Sequence, residues 1–272
     1  MGSVVDPTPE DAFRIASFNV AYVRDPAGIG DWEKRRDAVA AVVDAIDADV
    51  IGFQEMETFS RARNPNPVNL QLDWVLENAP HYRAGAVGDV ERFPSTQPIL
   101  YRNARFELVD QGWFFFSEQP SLIYSRSFDG GFAAFASIVR LRDRRNGRAL
   151  TVVNAHTDAR SAINREGAAR LIAERIESLI ERGEAVVLIG DLNALPASPT
   201  LATVTKAGLT GADLTRSTYH AGIGIDLGRA IDYILYSNAL ERIGGTTIHR
   251  DRPGGVFPSD HYPVSAVLRF AR

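Results

Sequence analysis

Hydrophobic positions along this chain fall into two kinds of segment that alternate. Short, nearly unbroken apolar runs, Phe13 to Phe18, Val50 to Phe53, Leu150 to Val153 and Ala185 to Ile189, have the length and composition of buried strands. Between them lie longer segments with apolar residues at helical spacing: Trp32, Val39, Val43 and Ile46 share one face, and Ala168, Leu171, Ile172, Ile176 and Leu179 share another. The order strand, amphipathic helix, strand therefore occurs twice. Asn19 to Glu55 is 36 residues and Asn154 to Asp191 is 37, each interval ending on an apolar strand and an acidic residue. The chain reads as two related halves of an α/β fold whose strand ends converge on one rim, where α/β sheets usually place their ligands.

Polar residues recur where those strands end. Gly190-Asp191-Leu192-Asn193 follows the run from Ala185 to Ile189, and Ser259-Asp260-His261-Tyr262-Pro263 forms a second corner. Each sets a carboxylate beside another metal- or phosphate-competent side chain. A Gly-Asp step after a strand is ordinary turn chemistry when it stands alone. Here Asn19, Glu55 and His156 also occupy strand ends, and the recurrence points to a single metal-assisted hydrolytic site.

With 272 residues, 45% hydrophobic, and no long Pro/Gly/Ser linker, the chain is expected to form one domain over residues 13–272 behind an N-terminal tail of residues 1–12. No apolar stretch approaches the roughly 20 residues that span a bilayer, so no membrane partner is expected. Met1 to Pro7 lacks the basic region and apolar core of a signal peptide, and a cytoplasmic location is the expectation. The absence of cysteine removes disulfides and thiolate-bound zinc, which leaves oxygen and imidazole ligands and a hard ion, Mg2+ or Mn2+. A formal charge of −4 argues against strong binding of duplex DNA. Only Lys34 and Lys206 among the 30 basic residues are lysines, a bias that reads as composition and not as a nucleic-acid signature.

Six motifs in order, Ser17-Phe18-Asn19-Val20, Gly52-Phe53-Gln54-Glu55, Asn154-Ala155-His156-Thr157-Asp158, Gly190-Asp191-Leu192-Asn193, Ile231-Asp232-Tyr233-Ile234 and Ser259-Asp260-His261-Tyr262-Pro263, give the chain its clearest resemblance. Over about residues 13–270 it resembles the endonuclease/exonuclease/phosphatase superfamily, most of all the branch of deadenylase-type nucleases and small bacterial phosphoesterases. The resemblance implies a DNase I-like fold, a four-layer α/β/β/α sandwich of two mixed β-sheets with outer helices. It implies Glu55 as the main metal ligand, with Asn19 and Asp260 nearby. Asp191 and Asn193 would orient the attacking water and a phosphate oxygen, and their i, i+2 spacing lets both address one site from a strand end. Asp232 would orient His261, which contacts the phosphate or activates water, and His156, supported by Asn154, would stand across the phosphate.

The departures from that pattern concern substrate. Similar proteins carry a tryptophan and an arginine in the segment matching Phe128 to Ile138, where this chain has Phe128, Gly130, Gly131 and Ala134; Arg126 is the nearby substitute. Gln97 stands where relatives often place a glutamate that partners the histidine matching His156. The loop from Phe59 to Leu70 carries Arg63 and further Arg and Asn residues that suit either a phosphate grip or a solvated turn. Trp113-Phe114-Phe115-Phe116 reads as core, and His81, His220 and His249 as structural or surface residues. The expectation is a divalent-metal-dependent phosphodiesterase or nuclease acting on a nucleotide, single-stranded nucleic acid or a small phosphorylated metabolite. The alternatives are a phosphomonoesterase and a catalytically silent binding module of the same fold.

Overall fold

Strands apolar on both faces need a cover on each side, and the described residues supply it with two sheets and four α-helices. The computed structural model describes residues 7–23, 29–56, 69–89 and 91–272. The first half runs β1 (Ala12–Asn19), α1 (Trp32–Ile46), β2 (Val50–Gln54), α2 (Leu70–Asn78), β3 (Tyr82–Gly85), β4 (Ile99–Arg102) and β5 (Phe106–Phe115). The second runs β6 (Phe135–Asp143), β7 (Ala149–His156), α3 (Ala162–Glu181), β8 (Ala185–Asp191), α4 (Pro199–Lys206), β9 (Leu209–Thr210), β10 (Asp232–Ser237), β11 (Leu240–Ile248) and β12 (Val264–Phe270). One six-stranded sheet has the order β11-β12-β1-β2-β4-β3 and the other β5-β6-β7-β8-β10-β9. Strand β1 begins at Ala12, inside the segment read as a tail, and the Ala12 amide donates to the Pro9 carbonyl.

Alternate residues of each central strand enter different layers. Phe13, Ile15, Val50, Val152, Val187 and Ile189 meet between the sheets. Phe18, Ile51 and Phe53 point the other way, against Val39, Val43 and Ile46 of α1 and Val75 of α2. Val153, Val186 and Leu188 likewise face Ala168, Ile172 and Ile176 of α3 and Val204 of α4. The result is the α/β/β/α sandwich, and it explains why these strands read as continuous apolar runs. Phe114, Phe115 and Phe116 are buried as expected, while Trp113 is half-buried and its indole N–H donates to the Arg92 carbonyl.

The two halves occupy matching places. β1 and β2 pair in parallel with Asn19 opposite Gln54, and β7 and β8 pair in parallel with His156 opposite Asp191. Each parallel pair is flanked by antiparallel neighbours, β12 and β4 in one sheet, β6 and β10 in the other. The polar strand ends thus emerge side by side on one rim.

Candidate functional site

Two backbone devices aim the carboxylates. Glu55 follows β2 with φ of 59°, a left-handed conformation uncommon for a residue with a Cβ and frequent at functional sites. Before Asp191, Gly190 has φ of 141°, and a Cβ there would lie 1.9 Å from the Ala155 carbonyl oxygen. Only glycine lets β7 and β8 approach so closely at the site. The Asn19 side-chain amide then joins the two halves, donating to Glu55 Oε1 at 3.3 Å and Asp191 Oδ2 at 3.1 Å.

Both candidate histidines face the same carboxylate oxygen. His156 Nε2 lies 3.7 Å from Asp191 Oδ2 and 3.8 Å from Glu55 Oε1, and His261 Nε2 lies 3.7 Å from Asp191 Oδ2. His261 Nδ1 is 2.9 Å from Asp232 Oδ2, the bond that fixes its ring. Asp232 is itself held by its amide, which donates to Thr218 Oγ1 at 3.1 Å. Asp260 sits at the rim beside Ser259, whose hydroxyl donates to the Asn19 carbonyl at 2.6 Å and receives the His261 amide at 3.2 Å.

Burial and charge separate the titrating groups. Burial opposes charge on His261, yet the neighbouring Asp232 and Asp191 carboxylates hold its pKa well above that of a free imidazole. His156 is held below, because burial outweighs the pull of Glu55. Burial and the like charge of Asp232 push Asp191 up to about 7, and burial pushes Glu55 up as well.

The remaining expected residues lie around this centre. Asn193 donates its amide N–H to Asp191 Oδ1 at 2.9 Å and its side-chain nitrogen to the Thr157 carbonyl at 2.9 Å. Asn154 is fully buried, accepting from Gln54 Nε2 at 2.6 Å and donating to the Phe53 carbonyl at 2.8 Å. It ties the sheets together two residues behind His156, out of reach of substrate. Gln97 is buried too: its nitrogen donates to the carbonyl of Phe135, the residue opposite His156 in the sheet, and its Oε1 has no partner. No hydrogen bond joins Gln97 to His156. Arg126 is exposed and donates to the Gly131 carbonyl at 3.2 Å. Arg63 lies outside the described residues. Asn69, from the same loop, caps α2 by accepting the Leu72 amide at 3.1 Å. His220 and His249 are buried, and His81 is exposed.

Three features escaped the sequence reading. Arg35 is wholly buried on α1 and donates to the carbonyls of Val20, Ala21, Tyr22 and Pro258, so one guanidinium ties the segment just after Asn19 to the segment just before Asp260. Its position on the apolar face of α1, next to Trp32 and Val39, was the available signal. Phe132 packs 5.6 Å from the His156 ring, on a loop anchored by the Gly131 amide donating to Asp158 Oδ2 at 2.6 Å. Tyr219 packs 5.0 Å from the His261 ring.

The donor set fits a hard divalent ion. Glu55, Asp191 and Asp232 form no ion pair with any lysine or arginine among the described residues, so their charge is balanced only by imidazole. One ligand atom from each of Asp191, Asp232 and His261 lies within 4.8 Å of the others. Because Asp232 and His261 bond to each other and both histidines reach Asp191 Oδ2, the carboxylate best disposed toward an ion is Glu55, joined to Asp191 through Asn19.

Comparison with known proteins gives the family and the fold. The profile of the Endonuclease/Exonuclease/phosphatase family matches residues 16–261. No curated protein matches the chain significantly in sequence. Among solved structures, the mannosyl-6-phosphatase of Bacteroides thetaiotaomicron is 23% identical, with a TM-score of 0.78 over 95% of this chain and 100% of that one. The D. rerio TDP2 complex with single-strand DNA product is 15% identical, with a TM-score of 0.70 over 96% and 100%. The human Nocturnin catalytic domain is 17% identical, with a TM-score of 0.68 over 97% of each chain. At these identities the likeness to solved structures is one of fold. No helix among the described residues is long and apolar enough to cross a membrane.

Proposed function

The chain belongs to the endonuclease/exonuclease/phosphatase family and is a phosphoester hydrolase, and on that premise we propose a phosphodiesterase dependent on Mg2+ or Mn2+, acting on nucleotides, single-stranded nucleic acid or a small phosphorylated metabolite. The observation that carries the reading is the meeting of Glu55, Asp191, His156 and His261 around one oxygen, Asp191 Oδ2, through the Asn19 bridge. Glu55 would hold the ion, with Asn19 and Asp260 nearby; the chemistry supplied there would be neutralisation of charge on the phosphate and on the departing oxygen.

The protein's own groups divide the remaining work. His261, kept protonated by Asp232 and Asp191, has no free nitrogen to accept a proton and serves as a cation for a nonbridging oxygen. Asp191, with a pKa of about 7, is placed to take the proton of the attacking water, and Asn193 helps orient that water. Water adds to phosphorus as its proton passes to Asp191, the P–O bond to the ester oxygen breaks, and the leaving alkoxide takes a proton from solvent while Asp191 releases the one it accepted. His156, across from His261, would offer its ring N–H as a hydrogen bond to the departing oxygen. The His261–Asp232 pair would serve monoester hydrolysis as well, and a mannosyl-6-phosphatase shares the fold, so a phosphomonoesterase is the second reading. Hydrolysis with added Mg2+ or Mn2+, screened over oligonucleotides, dinucleotides, phospholipid head groups and sugar phosphates, tests the reading: release from at least one diester is expected, and release only from monoesters would replace it with the second.

A further inference from the structure

We propose that the loop from Tyr219 to Arg229 is a subsite for an apolar organic group carried by the phosphate ester that this site hydrolyses. The inference rests on the phosphoesterase reading above and adds a substrate class to it. The loop leaves and re-enters the fold beside the dyad. The Thr218 and Tyr219 amides donate to the Arg229 carbonyl at 3.0 and 3.2 Å, and Thr218 Oγ1 accepts the amides of Ile231 and Asp232 at 3.0 and 3.1 Å.

The loop's polar residues are spent holding it together. His220 is fully buried, its ring 4.0 Å from that of Tyr262, and its Nδ1 accepts the Gly224 amide at 3.3 Å. Asp226 Oδ1 accepts the amides of Ser217 and Gly228 at 3.1 and 3.0 Å. Gly224 has φ of 74°, and a Cβ there would come within 2.6 Å of the Phe257 ring. Exposed beside Asp226, whose carboxylate is paired with Arg216 at 3.7 Å and Arg250 at 3.8 Å, and Arg229 are three aliphatic side chains: Ile223 is 62% exposed, Ile225 53% and Leu227 39%. A single exposed aliphatic side chain needs no explanation, but three within five residues of one pinned loop call for one, and apolar surface of this kind marks binding sites.

Position identifies the occupant. At the foot of the loop, half-buried Tyr219 pairs with His261 through an isolated bridge, their rings 5.0 Å apart. Half-buried Phe132 stands 5.6 Å from His156, and the two histidines each reach Asp191 Oδ2 at 3.7 Å, so the phosphate's place has an aromatic wall on either side. The loop that carries the three aliphatic residues begins at Tyr219 and returns at Arg229, whose carbonyl accepts the Tyr219 amide at 3.2 Å. The Arg229 guanidinium lies 4.9 Å from the Tyr219 ring centre and forms no ion pair among the described residues, which leaves a cation beside the wall for an anionic ester. An anionic head with an apolar chain matches this order of groups. A nucleic-acid strand would call for a basic track with stacking rings along its length, which Ile223, Ile225 and Leu227 do not provide.

The test is the binding of methylphosphonate against octylphosphonate, by calorimetry on the full chain with Mg2+, alongside turnover of methyl, butyl and octyl p-nitrophenyl phosphodiesters below their micellar concentrations. Octylphosphonate is expected to bind at least tenfold more tightly than methylphosphonate, and kcat/KM to rise with chain length. In Ile223→Ser/Ile225→Ser/Leu227→Ser both gradients should flatten while turnover of the methyl ester is unchanged. Equal binding of the two phosphonates overturns the subsite even if every ester is hydrolysed. Tight, loop-dependent octyl binding with no turnover of any ester would uphold the subsite and count against the hydrolase reading. A gradient that survives in the triple variant, or a triple variant that changes only self-association or retention on phosphatidylserine vesicles, would also overturn it.

Discussion

The unit β1-α1-β2 and the unit β7-α3-β8 hold the same place in their sheets, yet they furnish different chemistry. The first ends in Asn19 and Glu55, oxygen and amide groups suited to an ion; the second ends in His156, Asp191 and Asn193. Their flanking strands differ as well. β10 begins with Asp232, whose carboxylate grips His261, whereas the stretch before β4 carries Gln97, whose uncharged amide bonds to the Phe135 carbonyl beside His156. A shared scaffold therefore produces one imidazole held charged and one held neutral. Pushing apart the pKa values of neighbouring groups is how a buried site assigns binding and proton-transfer roles.

Removing the charged imidazole should have the largest effect. His261→Ala is expected to lower kcat by about 10³-fold and Asp232→Asn by about 10²-fold, in the range of general acid-base and electrostatic groups. Because Asp232 acts through the ring it orients, the double variant should be little worse than His261→Ala. Losses that multiply would show that the two residues do not form a unit.

Next in size is an effect on stability. A carboxyl with a raised folded-state pKa binds protons in the native state that it has lost in the unfolded state, so Asp191 costs stability progressively as pH rises from about 4 to about 7. Asp191→Asn should therefore melt several degrees above the parent at pH 7.5 without metal. The gap should shrink toward pH 4 and narrow when Mg2+ is added. A variant less stable than the parent at pH 7.5, by metal-free thermal melts, would break the assignment of Asp191 as an electrostatically strained group.

How much of this was readable follows from which forces leave a local mark. Strands buried on both faces and helices with one apolar face repeat at fixed periods, so β1, β2, β7, β8, α1 and α3 showed in the sequence. Glu55, Asp191 and His261 showed because they sit at strand ends in an ordered set of motifs. Short edge elements such as β3, β9 and the half-exposed β11 have weak periodicity, and nothing local marks them. Arg35 looked like one more charge in an amphipathic helix, since its four carbonyl partners come from segments distant in sequence or from a loop with no pattern. Tyr219 and Phe132 reach the histidines only through tertiary packing, and Asn154, expected to support His156, is buried with its side chain bonded to Gln54 and the Phe53 carbonyl.

A smaller effect would sharpen the contrast at Gln97. Gln97→Glu introduces a carboxylate near His156 and should raise that imidazole's pKa by up to about a unit. If protonated His156 assists the leaving group, the alkaline limb of the pH-rate profile should move to higher pH. An unmoved limb, with His156→Ala still inactive, would show that Gln97 is electrically remote from the reaction.

The most direct test of the account is metal dependence read on one diester. With bis(p-nitrophenyl) phosphate as substrate, chelation should abolish turnover, Mg2+ or Mn2+ should restore it, and Glu55→Gln should fold normally while calorimetry shows much weaker ion binding. Full turnover in excess chelator, or unchanged ion binding in Glu55→Gln, would contradict the claim that Glu55, bridged to Asp191 through Asn19, holds a catalytic ion.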